Sequence, residues 1–212
     1  MALIRKPLPV STIVVDRVAL FVRAPVPGRV KTRLAADIGV AAALDAHRQL
    51  TEHALRRLSN RPGYDLEIWC SQSHQEIDQW SAQFQVPIFV QHGAGLGERM
   101  ANCLEILCRE GGRGAIVGCD CPPVDADYLR KAFAALDAFD LVLGPAEDGG
   151  YGLIAWAQEQ SPDVFDGVAW GGADVLVQTQ LLAQQAGLRV SFQPLIWDVD
   201  DLDDWRRFQR NY

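Results

Sequence analysis

The chain has 212 residues, 49% of them hydrophobic, enough to bury one sizeable core without a polar linker between domains. Its net charge of -7 and pI near 5.0 argue against a surface built to hold nucleic acid, which relies on clustered Lys and Arg; a small anionic ligand needs only a local basic pocket. No stretch approaches the roughly 18 uninterrupted apolar residues of a spanning helix, and the apolar run behind Arg5 and Lys6 is broken by Pro7 and Pro9 without a small-residue cleavage site, so a soluble cytoplasmic protein with no membrane partner is expected.

Along the chain, hydrophobic periodicity and turn residues give alternating elements. Residues 1–16 read as an N-terminal extension. A strand at 18–22 is followed by a Pro/Gly/basic loop from Ala24 to Arg33 and a helix over 40–59. Arg61-Pro62-Gly63 turns the chain into a strand at 65–70, and an amphipathic segment at 75–84 leads to a strand at 88–91. A loop at 92–97 feeds a helix that ends near Glu110, where Gly111-Gly112 stops it before a strand at 115–117. Asp125 can cap a helix running to Leu136. Strands at 141–143 and 151–155 flank the loop 144–150. A helix at 174–186, a strand at 190–193, an acidic loop at 198–201 and a terminal amphipathic helix complete the order. This alternation predicts a single-domain three-layer α/β/α sandwich with a mostly parallel mixed sheet, over residues 1–212. Ligands in such sheets sit beyond the carboxyl ends of the strands.

Five cysteines, an odd number in a chain too large to need stapling, suit reduced thiols. Cys119-x-Cys121 has no second pair at zinc-ligand spacing, which favours buried or site-lining thiols. His47 and His53 are six apart and share no helix face, and no Ser/His/Asp or Cys/His constellation is visible. Of the tryptophans, Trp170, Trp197 and Trp205 suit core or pocket walls, and Trp170 stands beside glycines as a lid residue would.

Five segments carry chemistry. In the first loop Arg29, Lys31 and Arg33 alternate, with Pro25 and Pro27 stiffening the backbone and Gly28 opening it. Such a loop presents cations and N–H groups to a di- or triphosphate; a solvated basic loop is the competing reading. Gly93-Ala-Gly-Leu-Gly-Glu-Arg-Met100 opens a helix but puts Glu98 where a dinucleotide fingerprint needs its last glycine, so a Rossmann cofactor is not expected. Its glycines allow close approach to a base or phosphate, or simply turn the chain. Asp120, in Gly118-Cys-Asp-Cys-Pro-Pro123, follows a buried strand, where a carboxylate needs a partner, and a divalent cation fits. Asp198 and Asp200, at alternate positions of an extended segment, are candidates for completing that site; capping the last helix falls to Asp201 or Asp203. Asp148 is a candidate base, although Asp-Gly is also an ordinary hairpin turn.

Taken in order, A-P-V-P-G-R-V-K-T-R-L, G-L-G-E-R-M, G-C-D-C-P, G-P-A-E-D-G-G-Y and D-V-D-D-L resemble the bacterial DUF2064 family, also described as an arsenosugar-biosynthesis-type or radical-SAM-associated transferase. The resemblance spans about residues 18–205. It implies a nucleotide-diphospho-sugar transferase-like (GT-A-like) fold related to the guanylyltransferases of deazaflavin cofactor synthesis, and an Mg²⁺ or Mn²⁺ cofactor. It also implies Lys31 and Arg33 at the phosphates, with Ala24, Pro25, Gly28 and Arg29 beside them. Gln91, Gly95, Leu96, Gly97 and Arg99 would lie near the base, and Asp120, Asp198 and Asp200 would hold the metal. The chain departs from the family pattern at Arg23, where a lysine is expected, at Gly152, where an aromatic is expected, and at Gly171-Gly172, where Ser/Thr follows the tryptophan. The expected activity is glycosyl transfer from a nucleotide-sugar to an acceptor. Nucleotidyl transfer from a triphosphate to a phosphorylated acceptor, and a non-catalytic nucleotide-binding module, are the alternatives.

Overall fold

Residues 15–158 and 163–212 are described by a computed structural model; most of the expected N-terminal extension lies outside them. The central strand β1 (Asp16–Val22) sends Val18, Leu20 and Val22 to one face and Ala19 and Phe21 to the other. The sheet is buried on both faces, as the period-two pattern of apolar residues on each side requires.

From β1 the chain passes through α1 (Thr32–Ile38), α2 (Val40–Leu58), β2 (Tyr64–Cys70), α3 (Gln75–Phe84), β3 (Ile88–Val90) and α4 (Leu96–Leu107) to β4 (Gly114–Gly118). It continues through α5 (Ala126–Ala135), β5 (Leu141–Pro145), β6 (Tyr151–Trp156), α6 (Val175–Gln185), β7 (Val190–Phe192) and α7 (Leu202–Asn211). The strand order is β3-β2-β1-β4-β6-β5-β7, with β6 antiparallel to both neighbours and every other pairing parallel. The expected three-layer α/β/α architecture with a mixed, mostly parallel sheet is therefore the one observed. Leu55, Ile77 and Leu129, from α2, α3 and α5, pack on one face. Leu104 and Ala183, from α4 and α6, pack on the other. A third cluster joins Leu34 and Leu50 to Trp197, Val199 and Trp205, so the last helix is fastened to the first two.

The register of β1 fixes where loops meet. It pairs with β2 on one side, reached through α1 and α2, and with β4 on the other, so the connections leave β1 and β4 in opposite directions. That divergence opens a crevice at their carboxyl ends. The loops after β1 and β4 both enter it.

The first loop is shorter than the sequence reading had it. Thr32 already begins α1, and Arg33 lies in its first turn; Gly39, at φ 85, separates α1 from α2. The sequence reading begins its helix at Val40 and leaves out α1, whose seven residues are too few for periodicity to mark as a helix of their own. The last turn of the fourth helix is likewise a separate 3₁₀ turn, Arg109–Gly111. Among the described residues no helix is long and apolar enough to cross a membrane.

Candidate active site

The crevice becomes a site because a carboxylate and an ammonium converge in it from different strands. Lys31 takes the left-handed conformation (φ 46) at the N-terminus of α1, which is unusual for a lysine and turns the chain at the site. Its Nζ lies 2.5 Å from Oδ2 of Asp120, at the end of β4, and 3.4 Å from Oδ1 of Asp200. Arg33 reaches Asp200 from outside, Nη1 to Oδ2 at 2.9 Å. Gly118 makes room for Asp120: a Cβ there would stand 2.8 Å from Oδ1 of that carboxylate.

Asp198 and Asp200 arrive through backbone bonding. Ile196 donates to the Pro145 carbonyl at 2.9 Å, and Val199 donates to the Asp120 carbonyl at 3.0 Å, pinning the segment across the ends of β5 and β4. Val199 turns into the core, so Asp198 and Asp200, one residue to either side, turn toward the site. The capping of α7 falls to Asp201, which accepts from Asp203 and Asp204 while Asp204 answers in a capping box. The result is that ligand oxygens of Asp120, Asp198 and Asp200 all lie within 4.8 Å of one another.

The charges in this cluster shift each other. Burial opposes the charge on Lys31, but Asp120 and Asp200 outweigh it and hold the ammonium above its ordinary range. Burial likewise opposes the Asp120 carboxylate, and Lys31 outweighs that, holding it below the usual range. Asp198 makes no ion pair among the described residues: burial and then the charges of Asp120, Asp200 and Asp148 outweigh the more weakly felt Lys31 and push it up to about 7. The flanking thiols are inert, Cys119 being pushed up to about 12 by burial with Asp120 beside it. All five thiols are unpaired and buried, and among the described residues no other cluster of metal-binding groups occurs.

Two cavities meet at Asp120. The first, about 750 Å³, is lined by Ala24, Arg29, Lys31, Arg33, Gln91, Gly95, Leu96, Arg99, Asp120 and Asp200, which brings most of the sequence-selected residues together. Pro25, Gly28 and Gly97 do not line it. Gly28 supplies the φ of 73 that turns the loop, and Gly97 packs α4 closely, a Cβ there meeting Trp170 and Phe165 at 3.1 Å. The second cavity, about 330 Å³, holds Asp148, Asp198, Tyr151 and Trp170. Oδ1 of Asp148 accepts from the Gly150 amide at 2.9 Å. Trp197 and Trp205 are core residues instead, and Arg207 covers the ring of Trp197.

The cations lining the first cavity fall into two groups. Lys31 and Arg33, assigned to phosphates, are engaged by carboxylates. Among the described residues, Arg23, Arg29 and Arg99 line the first cavity without a carboxylate partner. Arg99 donates from Nε to the Gly93 carbonyl, at 3.1 Å.

His47 escaped the sequence reading. It is buried on the core face of α2 and lines the first cavity, its Nε2 lying 2.9 Å from the Arg23 carbonyl at the end of β1. Burial lowers its pKa and the Arg23 carbonyl opposes that, so the ring is a neutral strut for the loop. The signal was its place in the stripe Ala43, His47, Leu50, Ala54. The departure at Gly152 also gains a reason, since a Cβ there would stand 2.4 Å from Sγ of Cys121 and the thiol fills the space of a side chain.

Comparison with known proteins adds to this geometry. The model of a family described as an uncharacterized protein conserved in bacteria (DUF2064) matches residues 54–172, more than half of the chain. A protein of Desulfovibrio desulfuricans G20, named as a candidate nucleotide-diphospho-sugar transferase, is 34% identical with a TM-score of 0.83, over 92% of this chain and 86% of that one. A cytidylyltransferase from Leptospira borgpetersenii is 9% identical with a TM-score of 0.61, over 92% of this chain and 85% of its own. Molybdopterin-guanine dinucleotide biosynthesis protein A from Archaeoglobus fulgidus is 16% identical with a TM-score of 0.53, over 92% and 97%. The last two share the fold alone. No curated protein matches the chain.

Proposed function

Since the chain belongs to the DUF2064 family of bacterial proteins, we propose that it is a cytoplasmic, single-domain, divalent-metal-dependent transferase that moves a glycosyl group from a nucleotide-sugar to a small acceptor. The observation that carries this reading is the junction of an acidic trio with a basic cavity at Asp120. Three carboxylates stand within one ligand sphere, countered by Lys31 and, at Asp200, by Arg33. Asp198 is left pushed toward neutral pH by burial and its neighbours, as an oxygen-only donor set is before a cation joins it. Mg²⁺ and Mn²⁺ prefer such oxygen donors with phosphate oxygens completing the shell.

In this reading Asp120, Asp198 and Asp200 hold the cation, which when bound would neutralise charge on the departing diphosphate. Arg23, Arg29 and Arg99 receive the phosphates, and Lys31 and Arg33, beside the same carboxylates, would be within the same pocket to join them. The backbone at Gly95 and Leu96, with Gln91, borders the base. Asp148, beside the second cavity, accepts the proton of the acceptor hydroxyl.

Three arginines without a carboxylate partner among the described residues are also enough to receive a triphosphate, so nucleotidyl transfer is the second reading. Incubation with Mg²⁺ or Mn²⁺ and panels of nucleotide-sugars and triphosphates, each with hydroxyl and phosphate acceptors, distinguishes them. Release of a nucleoside diphosphate supports glycosyl transfer, and release of pyrophosphate supports nucleotidyl transfer. Ligand binding with neither product, across both panels, overturns both in favour of a binding module.

A further inference from the structure

We propose that the second cavity seats the acceptor and takes an uncharged, ring-bearing hydroxyl compound with an apolar face, and not a phosphate ester. This rests on the reading of the first cavity as the nucleotide site, and it decides a point that reading leaves open. The two cavities share Asp120, Arg23, Phe21 and Leu96, so a ligand in one abuts a ligand in the other. Yet their linings differ in kind.

The first cavity has five cationic side chains in its wall. The second has one, Arg23, at the shared rim, and three carboxylates, Asp120, Asp148 and Asp198. A cation held by the trio would cancel the charge of Asp120 and Asp198 but leaves Asp148 in place. A phosphate dianion offers acceptors only and would bring like charge against that carboxylate, which selects against it. Hydroxyl groups offer the donors that carboxylates need. Arg23 at the rim offsets part of the negative field, so the lining does not call for a full positive charge on the ligand.

The remaining wall is apolar and aromatic. Met100, Ile154, Val175 and Trp170 contribute to it, and Trp170 is held in place by Tyr151, at 6.4 Å between ring centroids, and by Phe165, at 6.2 Å. An apolar wall with a few polar groups at one end suits a ring with one hydrophobic side and hydroxyls on its edge. At about 330 Å³ the cavity is at the small end of ligand pockets, which fits a compound of one or two rings. In the step this implies, the acceptor oxygen forms a bond to the anomeric carbon and the bond from that carbon to the diphosphate oxygen breaks. The diphosphate leaves with the electron pair, and the hydroxyl proton passes to the Asp148 carboxylate.

The test is NMR on the full-length protein labelled with ¹⁵N, following the Trp170 indole N–H, assigned through Trp170→Phe. Phenyl glucoside is expected to shift this resonance at millimolar concentration, and glucose 6-phosphate to need at least about ten times more. Asp148→Asn is expected to narrow that gap. Glucose 6-phosphate shifting Trp170 as readily as phenyl glucoside overturns the proposal, and so does phenyl glucoside leaving it unmoved up to its solubility limit. Inorganic pyrophosphate with Mg²⁺ probes the first cavity separately. If pyrophosphate does not bind, or binds without sensitivity to Arg29→Ala, the nucleotide reading falls on its own, whatever Trp170 reports.

Discussion

The ammonium of Lys31 lies 2.5 Å from Asp120 and 3.4 Å from Asp200, within the carboxylate cluster assigned here to a divalent cation. The Lys31 side chain is only 6% exposed, against 32% for Asp120 and 35% for Asp200. On the proposed reading a monovalent charge and a divalent one would compete for the same oxygens. Replacing Lys31 by Met is expected to raise affinity for Mg²⁺ or Mn²⁺ about tenfold, read by calorimetric titration, while costing the metal-free protein about 1–3 kcal/mol of stability from unpaired carboxylates. Weaker metal binding in Lys31→Met would show that the ammonium supports the cation instead of competing with it.

Asp120→Asn is the reciprocal case. Metal-dependent stabilisation should vanish, and the metal-free protein should lose about 1–3 kcal/mol because a nearly enclosed ammonium keeps only Asp200 as its carboxylate partner. The two effects separate in the double variant Lys31→Met/Asp120→Asn. Stability should recover toward that of the parent, since neither charge is left alone, while metal response stays absent. A double variant as unstable as the sum of the single ones would mean that the pair is not coupled.

Much of this was legible in the sequence because it follows from alternation. The β1 and β4 patterns gave the sheet, and a carboxylate directly after a buried strand gave Asp120. The side of the chain on which Asp198 and Asp200 lie could be read from their spacing, because Val199 between them is apolar. What could not be read was pairing across distance. The engagement of Lys31 and Arg33 depends on partners 89 and 167 positions further along the chain, and three alternating basic residues do not say which of them will meet carboxylates. His47 was obscured for a related reason: a polar side chain on a core face gives the same local pattern whether it is a strut or a ligand, and the Arg23 carbonyl that defines it is 24 residues away.

The cation distribution makes its own prediction. Arg29→Ala should weaken pyrophosphate or nucleotide binding about tenfold, since Arg29 lines the first cavity and has no carboxylate partner among the described residues. Arg33→Ala should have the smaller effect on binding without metal, its guanidinium already being spent on Asp200 at 2.9 Å. Calorimetry on both variants, with and without Mg²⁺, gives the comparison. A larger loss for Arg33 in the absence of metal would contradict the assignment.

Asp198 sets a pH dependence whose sign is fixed by the direction of its shift. Burial and the charges of Asp120, Asp200 and Asp148 push it up to about 7, so between about pH 4 and 7 the folded protein keeps a proton that the unfolded chain has released. Its contribution to stability is therefore present at low pH and lost as the pH rises through 7. The part-exposed position tempers this to about 1–2 kcal/mol, a few degrees in Tm. In chelator, the difference in Tm between the parent and Asp198→Asn should change across this interval, with the parent falling relative to the variant as the pH rises. Metal affinity should run the other way and strengthen through pH 7, because the cation needs the ionised carboxylate. A difference in Tm that stays flat from pH 4 to 8 would remove Asp198 from this role.

Gly149 tests how the second cavity is built. At φ 88 its backbone is in the region that side chains disfavour, and a Cβ there would lie 1.9 Å from the Ala173 carbonyl oxygen, with no flexible side chain to move aside. The contact is also a bonded one, because the Leu176 amide donates to the Gly149 carbonyl at 3.0 Å. The turn carrying Asp148 and the start of α6 are thus one unit, and Val175, the first residue of α6, lines the second cavity together with Asp148 and Trp170. Gly149→Ala should cost about 3 kcal/mol or more, from strain and a forced separation of backbones together. Because the first cavity is built from the loops after β1, β3 and β4, pyrophosphate binding measured below the lowered Tm should survive, while phenyl glucoside binding should fall at least tenfold. Equal loss at both cavities would mean that the damage spreads through the sheet, and the turn and α6 would then not be a separable wall.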